Sequence, residues 1–189
     1  MDSQAVSPPR REGALAVHSL HRFVFSVPDV REAAAFYRAF GLDVREAEGG
    51  IDLYTFGHSH RWGSVYQRAG PKRLEYVSFG AYAADFDALS QRLGKLGVAT
   101  TKPHALADEQ GVWFTDPDGT AIQIVVAPKV SPAARSAAPA VTVAPGKGAA
   151  PSRSKAGVTR PRRLSHVLLF TPDVPRSVRF YSDVLGLRL

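Results

Sequence analysis

The chain has 189 residues, of which 44% are hydrophobic and 22% are charged, and none is cysteine. This length and composition are typical of a globular protein with one ordinary domain and part of a second. The lack of cysteine excludes disulfides, thiolate metal sites, iron–sulfur clusters and a cysteine nucleophile. No apolar run approaches the ~18 residues of a membrane helix, and residues 1–17 have the character of a disordered tail, not of a signal peptide. We therefore expect a cytoplasmic protein without a membrane partner.

The formal net charge of +7 comes from one segment, residues 129–163. This segment holds eight basic residues and no acidic one, which leaves 16 basic and 17 acidic residues in the rest of the chain. Ala, Pro, Ser and Gly make up 21 of its 35 residues, and the recurring prolines would break a helix. We predict a disordered, Ala/Pro-rich basic linker and no nucleic-acid partner.

Residues 18–70 form the first of two similar halves. The run SLHRFVFSV (19–27) is apolar and β-branched, as is typical of a strand. Asp29 can cap the helix that follows at 29–40, and Gly41 can end it. Three short strands are then predicted at 43–47, 51–56 and 62–67. This order of elements is a βαβββ unit.

Residues 71–128 repeat that order. The run LEYVSFG (74–80) predicts a strand, and apolar residues at helical spacing predict a helix at 83–96. Short strands are then predicted at 98–101, 111–115 and 120–126, with the Asp-Pro-Asp-Gly turn at 116–119 between the last two. Two βαβββ units can pair their sheets over a shared core, so the sequence predicts an α+β fold.

The opening of the chain recurs at its end, because HRFVFSVPDVREAAAFYRAFGLDV (21–44) matches HVLLFTPDVPRSVRFYSDVLGLRL (166–189). Such self-similarity indicates that the same unit begins again after the linker, with a strand and a helix in residues 164–189. Autonomous domains below ~40 residues usually need staples or partners. We therefore expect the sequence to be the front of a longer protein, cut early in its second module. Alternatively, this tail docks on the first module or on another copy, which would give a homo-oligomer.

Several features together resemble the vicinal oxygen chelate superfamily, which includes glyoxalase I, bleomycin-resistance proteins and type I extradiol dioxygenases. They are the two βαβββ units, the histidine that opens the first strand, Phe-Tyr followed by Gly-Leu, and the Asp-Pro-Asp-Gly turn. The two-module layout is most similar to the extradiol dioxygenases, whose first module is free of metal. The long linker departs from that family, in which the modules follow each other more directly.

The resemblance implies an enzyme that cleaves a catechol-type aromatic with O2, using Fe(II) held by two histidines and one glutamate. Such a ligand set leaves three positions on the iron for both catechol oxygens and O2. In that family the first histidine ligand lies on the first strand of the catalytic module. The residue at this position here is His166, and the other two ligands would lie beyond Leu189. We therefore expect this chain alone to hold no iron stably and to be inactive, and we identify no other catalytic residue.

The first module can be compared with the same ligand pattern. His21 takes the position of the first histidine, Tyr76 stands where the superfamily often has a second histidine, and Gln123 stands where a glutamate is common. His21 and Gln123 are therefore candidate ligands of a poor metal site, since only the imidazole is a strong donor at neutral pH. The alternative is that both are ordinary polar residues satisfied by hydrogen bonds.

The remaining histidines and the paired aspartates have structural interpretations. His58 and His60 belong to a Gly- and Ser-containing segment that favours a hairpin turn, and His104 follows a proline in a loop. Asp116 and Asp118 suit a turn, because aspartate bonds nearby backbone amides.

Two other functions stay open at this point. The first is a non-catalytic binding module whose cup would hold an antibiotic or a small aromatic molecule. Its lining would come from Phe56, Trp62, Tyr66, Tyr76 and Trp113. The second is a glyoxalase-like metal isomerase assembled across a dimer, with His21 as a ligand.

Overall fold

The computed structural model describes residues 13–130, 148 and 160–188. Most of the predicted linker and of the predicted N-terminal tail lies outside the described residues. The described residues form seven strands and three helices. In chain order they are β1 (Ser19–Val27), α1 (Val30–Ala39), β2 (Asp43–Ala47), β3 (Gly50–Tyr54), β4 (Arg61–Gln67), β5 (Arg73–Ala81), α2 (Ala83–Lys95), β6 (Val112–Thr115), β7 (Ala121–Val126) and α3 (Val174–Leu185). Among these helices, none has the length and apolar character that crossing a bilayer requires.

All seven strands join one sheet in the order β2-β3-β4-β1-β5-β7-β6. β1 runs parallel to β4 and antiparallel to β5, β5 runs parallel to β7, and the remaining neighbours are antiparallel. Each half therefore supplies one flank of the sheet, and the halves meet where β1 pairs with β5. The predicted α+β fold of paired βαβββ units is confirmed.

The strand predicted at 98–101 is reduced to one bridge between Thr100 and Phe114. The Thr101 amide also donates to the Trp113 carbonyl at 2.7 Å. Pro103 lies two residues after Thr101, and a proline has no N–H with which to extend a ladder. The pairing therefore stops after one residue.

Both helices of the module cover one face of the sheet. Asp29 begins α1, since its Oδ1 accepts from the backbone amides of Arg31 at 2.8 Å and Glu32 at 3.1 Å. Side chains alternate along each strand, so Phe23 and Phe25 face α1 while Val24 points to the opposite side. We call that opposite side the helix-free face. It also carries Arg22, Tyr76, Ser78, Trp113 and Gln123.

The tail agrees with the prediction in part. α3 forms as expected, and Val184 and Leu185 are buried in the core on the α2 side of the sheet. The predicted strand before it is wrong, because no described residue from 160 to 173 belongs to a strand. A strand needs a neighbour that pairs its amides and carbonyls, and nothing in the described ranges provides one. In this structure the tail packs on its own module.

Residues at the end of the predicted N-terminal tail also depart from expectation. The Val17 amide donates to the Leu185 carbonyl at 3.0 Å, and Val17 is buried with Leu15 beside it. This segment covers apolar side chains of α3, so burial of apolar area explains why it packs. The boundary of the folded part therefore lies before residue 18.

Candidate metal site

His21 and Gln123, the two metal candidates of the first module, both have protein partners. His21 Nε2 lies 2.8 Å from Glu109 Oε2, and the residue is 9% exposed. Gln123 Oε1 accepts from Ser78 Oγ at 2.7 Å, and its Nε2 donates to the Glu109 carbonyl at 2.9 Å. Each side chain thus already has hydrogen-bonding partners within the module.

Glu109 belongs to residues 104–110, which cross the helix-free face and which we call the strap. Arg22, only 3% exposed, donates from one nitrogen to Asp108 Oδ1 at 2.6 Å and from the other to Glu109. Arg61 donates to the second oxygen of Asp108. The two carboxylates of the strap therefore pair with arginines of β1 and β4.

The apolar part of the strap fills the space beneath it. Leu106 and Ala107 pack against the cluster of Val24, Tyr76 and Trp113. Two aromatic residues proposed to line a ligand cup here, Tyr76 and Trp113, thus lie against the strap, and Tyr66 packs against the same cluster.

The charges of the strap are stabilised by their partners. The hydrogen bond from His21 lowers the pKa of Glu109, with further help from the charge of Arg22, although burial acts in the opposite direction. Burial raises the pKa of Asp108, but the hydrogen bond from Arg61 and the charge of Arg22 outweigh it, so that the net shift is downward. Both carboxylates are therefore ionised at neutral pH.

The donors on this face do not fit an iron site. No group of three or more His, Cys, Asp or Glu side chains in the described ranges is arranged to hold a metal ion. Burial raises the pKa of Tyr76 to about 12, which keeps its phenol neutral. His21 and Gln123 thus stay predictions as metal ligands, and their contacts agree with the structural alternative.

The other histidines lie in loops, as predicted. Burial lowers the pKa of His60 to about 4, and its Nε2 lies 2.8 Å from the His21 carbonyl oxygen. The His58 ring accepts from the His60 amide at 3.0 Å. His104 Nε2 lies 3.3 Å from a carboxylate oxygen of Glu75.

The last two aromatic residues proposed for a ligand cup serve other contacts. Trp62 is 4% exposed, with its ring centroid 4.3 Å from that of His60. Phe56 is half-exposed, and the Arg160 guanidinium lies 3.9 Å above its ring centroid. These contacts favour structural roles for both residues.

His166 is exposed and lies before α3. It lines a cavity of about 630 Å³ between the tail and the first module. The cavity is also lined by Val77, Phe79, Val167 and Tyr181. His166 thus lies at the cavity between the tail and the first module, whereas His21 lies against the strap.

The Asp-Pro-Asp-Gly turn has a second role that sequence reasoning missed. Asp116 Oδ1 accepts from the amides of Asp118 at 3.0 Å and Thr120 at 2.7 Å, as expected for a turn. Tyr181 also donates its hydroxyl to Asp116 Oδ2 at 2.8 Å, and Arg176 donates to Asp118 Oδ1 at 2.6 Å. The turn therefore binds α3, through partners about 60 residues away that no local pattern reveals.

Comparison with known proteins assigns the family. The family model of the Glyoxalase/Bleomycin resistance protein/Dioxygenase superfamily matches residues 19–124 and 163–189. Metapyrocatechase 2 from Cupriavidus necator is 40% identical over 187 residues, which are 99% of this chain and 58% of that protein. The chain therefore spans little more than half the length of this curated relative.

Two solved structures share the fold at lower identity. The 2,3-dioxygenase LapB from Pseudomonas sp. KL28 has a TM-score of 0.65 and 22% identity, covering 90% of this chain and 59% of that one. The Mn(II)-bound glyoxalase from Novosphingobium aromaticivorans has a TM-score of 0.63 and 20% identity, covering 92% and 54%. With two paired βαβββ units and a family match over most of its length, the chain belongs to the Glyoxalase/Bleomycin resistance protein/Dioxygenase superfamily.

Proposed function

We propose that this chain is the first module, and the opening of the second, of an extradiol dioxygenase that cleaves a catechol with O2. The observation that carries the proposal is the 40% identity to metapyrocatechase 2 over 99% of the chain. The two-part layout supports it as well, because α3 repeats α1 and packs on a completed module. Small aromatic diols and O2 would be the substrates.

The proposal separates the two modules by role. The first module would not be catalytic, because the strap occupies its helix-free face and the donors there do not fit iron. Its contribution would be positional: the turn at Asp116 and Asp118 holds α3 through Tyr181 and Arg176. His166 precedes that helix, so the same contacts would restrict where its imidazole can lie.

Fe(II) is part of the proposal and not of the described structure. His166 would be one ligand, and a second histidine and a glutamate would come from sequence corresponding to the part of metapyrocatechase 2 that this chain does not span. Residues 1–189 alone would then hold iron weakly and turn over no catechol.

The test uses a chimera in which this chain replaces the matched part of metapyrocatechase 2. After anaerobic loading with Fe(II), catechol and then oxygen are added, and the yellow ring-fission product is followed by absorbance while bound iron is measured separately. We expect product and about one iron per chimera, and neither from this chain alone.

Two substitutions in the chimera distinguish the candidate ligands. His166→Ala should abolish turnover and lower the iron content, since a facial triad needs all three ligands. His21→Gln should leave turnover and iron content within about twofold of those of the unsubstituted chimera, because the partner of His21 is Glu109. Product from this chain alone, or full activity of the His166→Ala chimera, would refute the proposal.

A further inference from the structure

Two aromatic side chains of α1 lie outside the core. Phe36 and Phe40 are 61% and 59% exposed, and their rings stack with centroids 6.2 Å apart. Ala35 and Ala39 beside them are exposed too. We call these four residues the α1 stripe. Exposed apolar patches of this kind mark interaction surfaces, because water contact with them is unfavourable.

The internal repeat shows how the same surface behaves in the second copy of the helix. Counted from the capping aspartate of each helix, Phe180 and Val184 of α3 hold the positions of Phe36 and Phe40 in α1. Val184 is only 2% exposed, and the centroid of the Phe180 ring lies 6.2 Å from that of Phe114. One face of a repeated helix is therefore buried in α3 and exposed in α1.

The surface that α3 covers defines the chemistry of a suitable partner. α3 packs against α2 and the strands beneath it, in a cluster that includes Leu89, Leu93 and Phe114. Leu89 and Leu93 are four residues apart, so they lie on one side of α2. A partner for the α1 stripe should thus be the second helix of a βαβββ pair, with an apolar side of the same kind.

We propose that the α1 stripe docks the second helix of another module, in a contact that mirrors the packing of α3 on α2. A two-fold relationship between two modules would place the first helix of each on the second helix of the other, and would bury both copies of the repeated face. The inference rests on the proposed function, because it requires a second module.

A second copy of this chain does not suit the stripe. In each copy α2 is already covered by α3, whose Leu185 is fully buried in the shared cluster. The surface that would complement the stripe is thus occupied. The part of metapyrocatechase 2 that this chain leaves unmatched, 42% of its length given the 58% covered, could supply an additional module.

The absence of cysteine from the chain permits a direct test. Phe40→Cys places a single thiol on the stripe, and Glu48→Cys places a control thiol on an exposed turn between β2 and β3. The rate of reaction with a soluble disulfide reagent is measured for each variant in this chain and in the metapyrocatechase 2 chimera, after blocking or replacing cysteines of the grafted part. We expect the chimera to slow the reaction of the Phe40→Cys thiol at least tenfold and that of the Glu48→Cys thiol by less than twofold.

Equal reaction rates of the Phe40→Cys thiol in chain and chimera would overturn the inference. Catechol turnover by the same chimera reports separately on the proposed function, so turnover together with a thiol that stays reactive on the stripe would reject the interface alone. Analytical ultracentrifugation of the unsubstituted chain gives an independent result. We expect a monomer at about 100 μM, whereas a dimer abolished by Phe36→Ser with Phe40→Ser would show that the stripe binds a second copy.

Discussion

Tyr181 and Tyr37 hold the same place in two copies of one repeated sequence, yet only Tyr181 bonds a carboxylate. The Tyr181 hydroxyl donates to Asp116 Oδ2 at 2.8 Å, whereas Tyr37 packs into the cluster beneath α1 and its hydroxyl has no hydrogen-bond partner among the described residues. Burial raises the pKa of both phenols, and the charge of Asp116 raises that of Tyr181 further. The same residue is thus a polar anchor in one copy and a core residue in the other.

This difference predicts unequal costs for removing the two hydroxyls. Tyr181→Phe should lower the free energy of unfolding by about 1–2 kcal/mol, because it removes a hydrogen bond to a charged acceptor and leaves Asp116 with one partner fewer. Tyr37→Phe should change it by less than about 0.5 kcal/mol. Urea unfolding would measure both free-energy changes, provided that the dependence of the free energy of unfolding on urea concentration is the same in each variant. Equal losses would show that the Tyr181 bond contributes nothing specific.

Gly186 ends α3 in a conformation and a space that suit glycine alone. Its φ is +73°, and a Cβ there would lie 2.6 Å from both the Leu15 carbonyl oxygen and the Ala16 Cβ. Gly97 has a φ of +70° after α2, with nothing within 4 Å of a Cβ. Gly97→Ala should therefore cost about 1 kcal/mol from backbone strain, and Gly186→Ala at least about 2 kcal/mol from strain and collision together.

Thermal unfolding followed by circular dichroism distinguishes these two variants. A loss of 1 kcal/mol lowers Tm by about 2–4 °C for a chain of this size. If Gly186→Ala were no worse than Gly97→Ala, the packing of residues 15–17 on α3 would be wrong.

The strap should depend on its two carboxylates. The Arg22 side chain is only 4% exposed, and removing the charges that face it leaves a buried cation uncompensated. Since the Asp108 and Glu109 side chains are 41% and 38% exposed, we expect Asp108→Asn with Glu109→Gln to cost about 2–3 kcal/mol after allowance for solvent screening.

A surface pair provides the matched control for the strap. Asp43 accepts from the exposed Arg45 at 2.8 Å, and Asp43→Asn should change the free energy of unfolding by less than about 0.5 kcal/mol. Hydrogen exchange should also quicken at residues 104–110 in the double variant. A double variant as stable as Asp43→Asn would mean that the ion pairs do not hold the strap.

His60 should make stability depend on pH in a defined window. Burial lowers its pKa to about 4 in the folded chain, whereas an unfolded histidine titrates near 6.5. Between these values the unfolded state binds more protons, so the stabilisation is complete above about pH 6.5 and is lost as the pH falls toward 4. The loss should be about 1–2 kcal/mol, reduced from the ideal value because the ring is partly solvated.

The measurement compares the unsubstituted chain with His60→Gln, whose amide can still donate to the His21 carbonyl. Chemical unfolding at several pH values from 7 to 4 should show a flatter dependence in the variant. Parallel curves would assign the pH dependence to other groups, such as His18, whose pKa is also lowered by burial.

The fold followed from local patterns, and the site did not. Strands and helices of the module could be predicted because apolar periodicity, the Asp29 cap and turn glycines act over a few residues. The strap has no such period, and the polar partners of its carboxylates lie 86–88 residues away on β1 and 47 residues away on β4. Its two acidic residues are also ordinary in a loop, so no pattern marks them as partners of Arg22.

In residues 164–171 a clear local pattern predicted a strand that the structure does not contain. Their resemblance to β1 is clear in the sequence, but β1 is a strand because β4 and β5 flank it. An identical preference for extended backbone cannot form a ladder without a neighbour. The repeat therefore predicted α3, whose hydrogen bonds are internal to the helix, and failed for the strand.

That dependence makes residues 164–171 a natural reporter of assembly. Their amides have no ladder partners in the described part of the chain, so they should exchange with deuterium almost as fast as a free peptide. Slower exchange at individual amides would show, residue by residue, where neighbouring strands have paired with this segment. The segment around His166 would thus signal when a pocket closes around it, before any chemistry is measured.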